Sequence, residues 1–195
     1  NWLFAAERAD SAGADIIQSS LGYAEFDDPS MDYTPADLNG NTAVVSRSAS
    51  RARDRGIILV ASAGNLGSSP WLFITPPADT YDVLTVGAVS LGGTRLSFSS
   101  IGPTSNGFIK PDVVALGTGV SAIDANGSLT SVTGTSAAAP LVTSLVAGLL
   151  EAYPSTNPQS LVEHIRSTAS HAQFPDNQTG YGVPGYLAVK NYLDR

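Results

Sequence analysis

One serine in this sequence stands where a helix start would favour its chemistry. Gly134, Thr135 and Ser136 precede the apolar run 137–150, and this order predicts a helix that begins at Ser136 with Pro140 in its first turn. Unpaired backbone N–H groups and the positive end of the helix dipole meet at such a start and would stabilise an oxyanion. Because serine is also a common helix N-cap, the pattern alone leaves both a nucleophile and a cap open.

A second candidate group is the amide of Asn65, which follows the apolar run 57–61 through Ser62, Ala63 and Gly64. The run is typical of a strand buried on both faces of a parallel sheet, and ligand sites of such sheets lie at the carboxyl ends of strands. A neutral amide there can donate to a developing negative charge. Asparagine beside glycine is equally common in plain turns, so this signal is also open by itself.

The elements that must position these groups alternate between helix and strand. Apolar spacing predicts helices near 2–10, 42–55, 136–153, 158–169 and 187–193, and strands at 14–20, 57–61 and 83–89. Residues 23–41 are rich in Asp, Pro and Asn and predict a surface loop, and Asn126-Gly127 predicts a hairpin turn between short strands at 120–124 and 128–132. We predict a doubly wound α/β fold with a mostly parallel sheet flanked by helices.

Composition narrows the classes of function. The 195 residues suit a single domain, and a net charge of −7 argues against nucleic-acid binding. The basic cluster of Arg47, Arg51, Arg53 and Arg55 closes a predicted helix, where it complements the helix dipole. No cysteine is present, which excludes disulfides and thiolate chemistry. No apolar run reaches the ~18 residues of a membrane span, so we predict no membrane partner.

Six separate segments resemble, in order, motifs of the subtilisin-like serine proteases. The heptapeptide 134–140 resembles the nucleophile motif, 60–65 the strand and loop that carry the oxyanion-hole asparagine, and 19–22 the substrate-binding edge strand. The segments 98–103 and 110–115 resemble the stretch upstream of the serine, and 180–182 the turn before the last helix. The sequence is therefore identified as a member of this family over nearly its whole length.

This resemblance implies roles for individual residues. Ser136 would be the nucleophile, and Asn65 would donate to the oxyanion together with the backbone N–H of Ser136. Ser20, Leu21 and Gly22 would bind an extended substrate through their backbone, and Gly22 with Ala63 and Gly64 would leave room for a substrate side chain. The apolar loop residues Trp71, Leu72 and Phe73 suggest a pocket for large apolar side chains.

The general base and the carboxylate that orients it are missing from these motifs. In the family the order is Asp, His, Ser, whereas His164 and His171 both follow Ser136. We therefore expect this chain to be the C-terminal portion (residues 1–195) of a single subtilisin-like peptidase domain whose N-terminal part is missing. The prediction is a truncated domain that is inactive alone, needs the missing part as a partner, and exposes apolar surface through which it self-associates.

Beyond these residues, the resemblance implies a secreted serine endopeptidase, extracellular or periplasmic, that acts on protein or peptide substrates and requires no cofactor. Calcium stays open because Asp27, Asp28, Asp32 and Asp37 crowd one loop, although no EF-hand spacing is present, and we assign no metal ligand.

The alternative hypothesis is a non-catalytic relative that binds peptides or acts as a scaffold. An α/β-hydrolase esterase is set aside, because Ser136 lacks the Gly-x-Ser-x-Gly elbow.

Overall fold

The computed structural model describes residues 1–195 and contains five α-helices and six strands. The helices are α1 (Trp2–Ser11), α2 (Val44–Asp54), α3 (Thr135–Ala152), α4 (Pro158–Ser167) and α5 (Tyr186–Leu193). The strands are β1 (Ile16–Ser19), β2 (Ile58–Ser62), β3 (Leu84–Val89), β4 (Val113–Leu116), β5 (Val120–Ile123) and β6 (Leu129–Val132). Two short 3-10 helices, Pro29–Met31 and Pro35–Asp37, lie in the loop between β1 and α2.

The main sheet has four strands in the order β1-β2-β3-β4, and every neighbouring pair is parallel. Every residue of β2 and β3 is buried, as expected of strands covered on both faces. The strand β1 forms one edge of this sheet. Because β1 and β2 are parallel, their carboxyl ends lie next to each other. Ser20 and the 63–65 loop therefore lie at this end of the strands, here called the carboxyl edge of the sheet.

Alternate residues of β2 divide the core between the two faces of the sheet. Ile58 and Val60 join the larger cluster, which α3, α4 and α5 cover, whereas Leu59 and Ala61 pack with Ala49 and Ala52 of α2. This alternation follows from the two-residue period of a strand. Helices on both faces of a parallel sheet confirm the predicted doubly wound α/β class.

The helix α3 lies against the middle of the sheet and starts at its carboxyl edge. Its buried positions include Ala138, Val142, Val146 and Leu149, which follow the spacing of one helix face and belong to the larger core cluster. By length and composition it is also the one helix that could cross a membrane, with a mean hydropathy of 1.3 over 18 residues. Core helices of folded domains share these properties, so this finding alone assigns no membrane role.

Two local predictions need correction. The structure has a strand at β4 that the sequence pattern does not predict, because a four-residue strand between Pro111 and Gly117 gives little periodic signal. Pro140 lies at the sixth position of α3 and not in its first turn. The predicted hairpin is confirmed: β5 and β6 pair antiparallel around Asn126-Gly127.

Candidate active site

Ser136 is the second residue of α3 and is exposed, although Gly134 and Thr135 before it and Ala137 after it are buried. The residue before the helix, Gly134, has a φ of +144°, which favours glycine. The backbone N–H of Ser136 donates no hydrogen bond within the chain, as expected for one of the first N–H groups of a helix. The predicted helix start thus presents a hydroxyl and a free donor on the surface.

The side chain of Asn65 is oriented by the residue that precedes Ser136. Its Oδ1 accepts hydrogen bonds from the backbone N–H and from the hydroxyl of Thr135, both at 2.9 Å. With the oxygen occupied twice, the Nδ2 group points elsewhere and donates no hydrogen bond within the chain. The amide is therefore fixed with its donor end free.

Thr135 extends this connection to the backbone of the loop after β2. Its Oγ1 accepts a hydrogen bond from the N–H of Gly64 at 3.2 Å while its hydroxyl proton goes to Asn65. Chains of hydrogen bonds polarise one another, and each member limits the movement of the next. Thr135, which is fully buried, therefore attaches the Gly64–Asn65 loop to the start of α3.

The hydroxyl of Ser136 and the amide of Asn65 meet at Gly134. A Cβ atom built on Gly134 would lie 2.9 Å from Ser136 Oγ and 3.4 Å from Asn65 Nδ2. A side chain at this position would therefore occupy the space between the two groups. A nucleophilic oxygen with two free N–H donors beside it is the arrangement that stabilises the tetrahedral oxyanion of acyl transfer.

Beside the site, Ser20 supplies the hydrogen bond that Pro140 cannot donate to the Ser136 carbonyl. Proline has no N–H to donate to the carbonyl four residues earlier in a helix, and for Pro140 that carbonyl belongs to Ser136. The hydroxyl of Ser20 donates to this carbonyl at 3.1 Å. The end of β1 is thereby attached to the first turn of α3, next to the candidate nucleophile.

The other predicted substrate-binding residues lie around the same edge of the sheet. Leu21 is 54% exposed and Gly22 is also exposed. Gly64 is partly buried with a φ of +107°, whereas Ala63 is fully buried and its methyl group packs with Leu38, Ile74 and Ala78. The roles of these residues in substrate binding remain predictions. Because its side chain is buried, Ala63 is placed to take part only through its backbone.

Neither histidine lies at the candidate nucleophile. His164 is on α4 with its ring 4.8 Å from the ring of Tyr192, and the backbone N–H of His171 donates to the carbonyl of Tyr181. No hydrogen bond joins either histidine to Ser136 or Asn65. Within residues 1–195, no histidine is therefore hydrogen-bonded to Ser136.

The acidic loop uses its carboxylates to hold its own backbone. Asp28 accepts from the N–H of Ser30, Asp32 from that of Phe26, and Asp37 from the N–H and the hydroxyl of Thr34. The bonds from Ser30 lower the pKa of Asp28. No group of three or more acidic or histidine side chains is arranged to hold a metal ion, and the question of calcium stays untested.

A second polar cluster lies at the opposite end of the parallel strands, where β3 and β4 begin, here called the amino edge of the sheet. Asp112 accepts hydrogen bonds from the Thr85 N–H at 2.6 Å, from Lys110 Nζ at 2.7 Å and from Arg166 Nε at 2.9 Å. Lys110 and Asp112 are 1% and 2% exposed. Burial lowers the pKa of Lys110 to about 8, although the charge of Asp112 opposes this shift.

Two residues of the carboxyl edge were not singled out from the sequence. Thr135 stands inside the nucleophile motif, and its position between Gly134 and Ser136 was the available signal. The other is Thr75, whose buried hydroxyl lies against Gly22 and has no hydrogen-bond partner. Only the contact across 53 positions of sequence identifies it, and no local pattern contains that information.

Comparison with known proteins identifies relatives of this chain. The model of the subtilase family (Peptidase_S8) matches residues 3–182. The chain is 34% identical over 166 residues to subtilisin DY of Bacillus licheniformis, which covers 85% of this chain and 53% of that protein. It is 33% identical over 125 residues to a thermostable alkaline protease of Halalkalibacterium halodurans, covering 64% and 32%. The chain thus spans about half the length of subtilisin DY, and less of the alkaline protease.

Solved structures give the same result for the fold. The self-cleaved protease domain of PatA superposes with a TM-score of 0.77 and 26% identity, covering all of this chain and 68% of that one. MycP1 from Mycobacterium smegmatis superposes with a TM-score of 0.72 and 22% identity, and the match covers 96% of this chain and 53% of the MycP1 chain. This likeness supports the fold alone. The family match over residues 3–182 shows that the chain belongs to the subtilase family.

Proposed function

We propose that this chain carries the nucleophile and the oxyanion hole of a subtilisin-type serine endopeptidase. Ser136 attacks the carbonyl carbon of the scissile peptide bond, and its hydroxyl proton passes to a histidine that residues 1–195 do not supply. The carbonyl oxygen becomes an oxyanion that accepts from the Ser136 N–H and from Asn65 Nδ2. The observation that carries the proposal is that the Ser136 hydroxyl and the free Nδ2 of Asn65 both lie beside Gly134, at the helix start where the Ser136 N–H is also unpaired.

Preorganisation is what makes these donors useful in catalysis. Asn65 is held by two hydrogen bonds from Thr135, so it needs no reorganisation when charge develops on the substrate. The backbone N–H of Ser136 is fixed by the helix itself. Both donors would act on the transition state more strongly than on the neutral substrate carbonyl, which is the condition for an increase in kcat.

The missing base and carboxylate are proposed to come from a preceding stretch of the same protein that packs against β1. This strand is an edge of the sheet, and it ends beside Ser136 through the Ser20 hydrogen bond. Several large apolar side chains within the first 44 residues are exposed to solvent, including Phe4, Met31 and Val44. Such a surface supports a packing partner, and without one we expect the isolated chain to self-associate.

The protein is proposed to act in the extracellular or periplasmic space, on protein or peptide substrates that bind in extended form to the backbone of Ser20, Leu21 and Gly22. An added peptide strand obtains its affinity from backbone hydrogen bonds and its specificity from side-chain pockets. A peptide-binding relative without catalysis is the alternative, and no contact in the site favours it over the enzyme.

Hydrolysis of denatured casein by the product of the whole coding sequence tests the proposal. We expect activity in the wild type, loss of at least about 10⁴-fold in Ser136→Ala, and no change in Ser144→Ala. Ser144 is the matched control because it is an exposed serine two turns further along α3. Peptide binding without hydrolysis would instead support the non-catalytic alternative.

A further inference from the structure

The side chain of Thr75 occupies the space where the predicted substrate pocket would extend. A Cβ atom built on Gly22 would lie 2.1 Å from Thr75 Oγ1, and one built on Gly64 would lie 3.1 Å from the same oxygen. The Thr75 hydroxyl is therefore inserted between two backbone segments that have no side chains of their own. In our proposed function, these segments flank the side chain of the residue whose carbonyl is attacked.

The position of Thr75 is fixed by the backbone on both sides. Its N–H donates to the carbonyl of Ala63 at 3.2 Å, and the next residue, Pro76, accepts from the N–H of Tyr23 at 3.1 Å. Thr75 thus connects the segment after β1 with the segment after β2. A substrate side chain that enters between these segments must end at Thr75 or displace it.

The hydroxyl itself lacks a partner. Thr75 is 4% exposed, and its Oγ1 makes no hydrogen bond within the protein. Leaving a buried hydroxyl unpaired costs about 1–3 kcal/mol, whereas valine would fill the same volume without that cost. An unpaired hydroxyl that faces a predicted binding pocket is a group that a ligand can satisfy.

We infer that Thr75 determines the specificity of the proposed peptidase: it limits the side chain of the attacked residue to a short one and favours serine. A long apolar side chain would collide with Thr75, and a charged one would find no charged atom among the groups nearest Gly22 and Gly64, which belong to Thr75 and Ser100. Trp71 and Phe73, on which the expectation of a pocket for large apolar residues rests, pack against the cluster of Leu38, Ala63, Ile74 and Ala78, and in this inference Thr75 sets the size limit. This inference rests on the proposed function.

The test is a map of the bonds cleaved by the whole-gene product in a mixture of denatured peptides, read by mass spectrometry. We expect kcat/KM after serine to exceed that after phenylalanine by more than about tenfold, and that after alanine by about fivefold. In Thr75→Gly, cleavage after leucine and phenylalanine should rise at least about tenfold relative to serine. In Thr75→Val, the size limit should remain while the advantage of serine over alanine disappears.

Thr80→Val is the matched control. Thr80 is also buried with an unpaired hydroxyl, but it lies against Gly40 and not against Gly22, so its replacement should leave the cleavage map unchanged. A wild type that cleaves after phenylalanine as readily as after serine, or a Thr75→Gly variant with an unchanged map, overturns the inference alone. Absence of any Ser136-dependent hydrolysis overturns the proposed function, and the inference with it.

Discussion

The two edges of the parallel sheet use polar groups in opposite ways. At the carboxyl edge, Ser136 and Asn65 are exposed and keep donors that have no partner within the chain. At the amino edge, Asp112 is buried and pairs with both Lys110 and Arg166. Groups that are fully paired inside a protein maintain its structure, whereas free and oriented donors are available to a ligand. The contrast separates the site from the scaffold without reference to any relative.

The largest expected difference between the edges is in catalysis. Asn65→Ala should lower kcat of the whole-gene product by about 10²–10³-fold, the cost of removing an oxyanion-hole amide from subtilisin. It should also lower the free energy of unfolding by about 1–3 kcal/mol, because the buried Thr135 loses its acceptor. Steady-state kinetics on a peptide substrate and a thermal unfolding curve measure both. Asn106→Ala, at an exposed position in another loop, is the control. A loss of unfolding free energy with an unchanged kcat would place Asn65 with the scaffold.

The amino edge should show the reverse behaviour. Asp112→Ala leaves the buried cations of Lys110 and Arg166 without their shared partner, so the free energy of unfolding should fall by about 3–5 kcal/mol. The remaining folded protein should keep its kcat. Urea unfolding measures the loss, and Lys190→Ala, which breaks the exposed pair with Asp194, should cause no measurable change. A loss no larger than that of the control would contradict this role for Asp112.

The pH dependence of stability should also report the amino edge. Burial lowers the pKa of Lys110 from 10.5 to about 8, so between these values the unfolded chain binds one proton more than the folded chain. The destabilisation is complete below pH 8 and is relieved as the pH rises. The unfolding free energy of the wild type minus that of Lys110→Met should therefore increase, by at most about 1.4 kcal/mol per pH unit.

This measurement has a clear control in the variant itself. Asp112, Arg166 and Asp79 surround Lys110 and are present in both proteins, so the difference between the two curves isolates the lysine. Urea unfolding at intervals from pH 7 to pH 10.5 gives the two curves. A difference that stays constant or falls with pH would show that burial does not lower the pKa of Lys110.

The smallest expected effect concerns the attachment of β1 to α3. Ser20→Ala should cost about 1 kcal/mol of unfolding free energy in the wild type, because the Ser136 carbonyl loses its donor. In a Pro140→Ala background, the restored helical N–H bonds this carbonyl and Ser20→Ala should cost less. A double-mutant cycle should give a coupling of about 0.5 kcal/mol or more. Strict additivity would contradict the claim that Ser20 supplies the hydrogen bond that Pro140 cannot donate to the Ser136 carbonyl.

The sequence predicted the fold where patterns are local. The fully buried strands β2 and β3 arise from apolar runs at 57–61 and 83–89, and both were predicted close to their observed bounds. Ser136 was located because a helix start depends on neighbouring residues. The orientation of the Asn65 amide and the position of Thr75 depend on contacts with residues 70 and 53 positions away, which no local pattern describes.

The central claim is that Ser136 is a nucleophile whose base lies outside residues 1–195. The direct test is labelling with a fluorophosphonate, followed by mass-spectrometric mapping of the modified residue, in the whole-gene product and in the isolated chain. Circular dichroism first establishes that the isolated chain is folded. We predict modification of Ser136 in the whole-gene product, none in its Ser136→Ala variant, and none in the folded isolated chain. Equally fast labelling of Ser136 in the isolated chain, or labelling elsewhere in the whole-gene product, would contradict the claim.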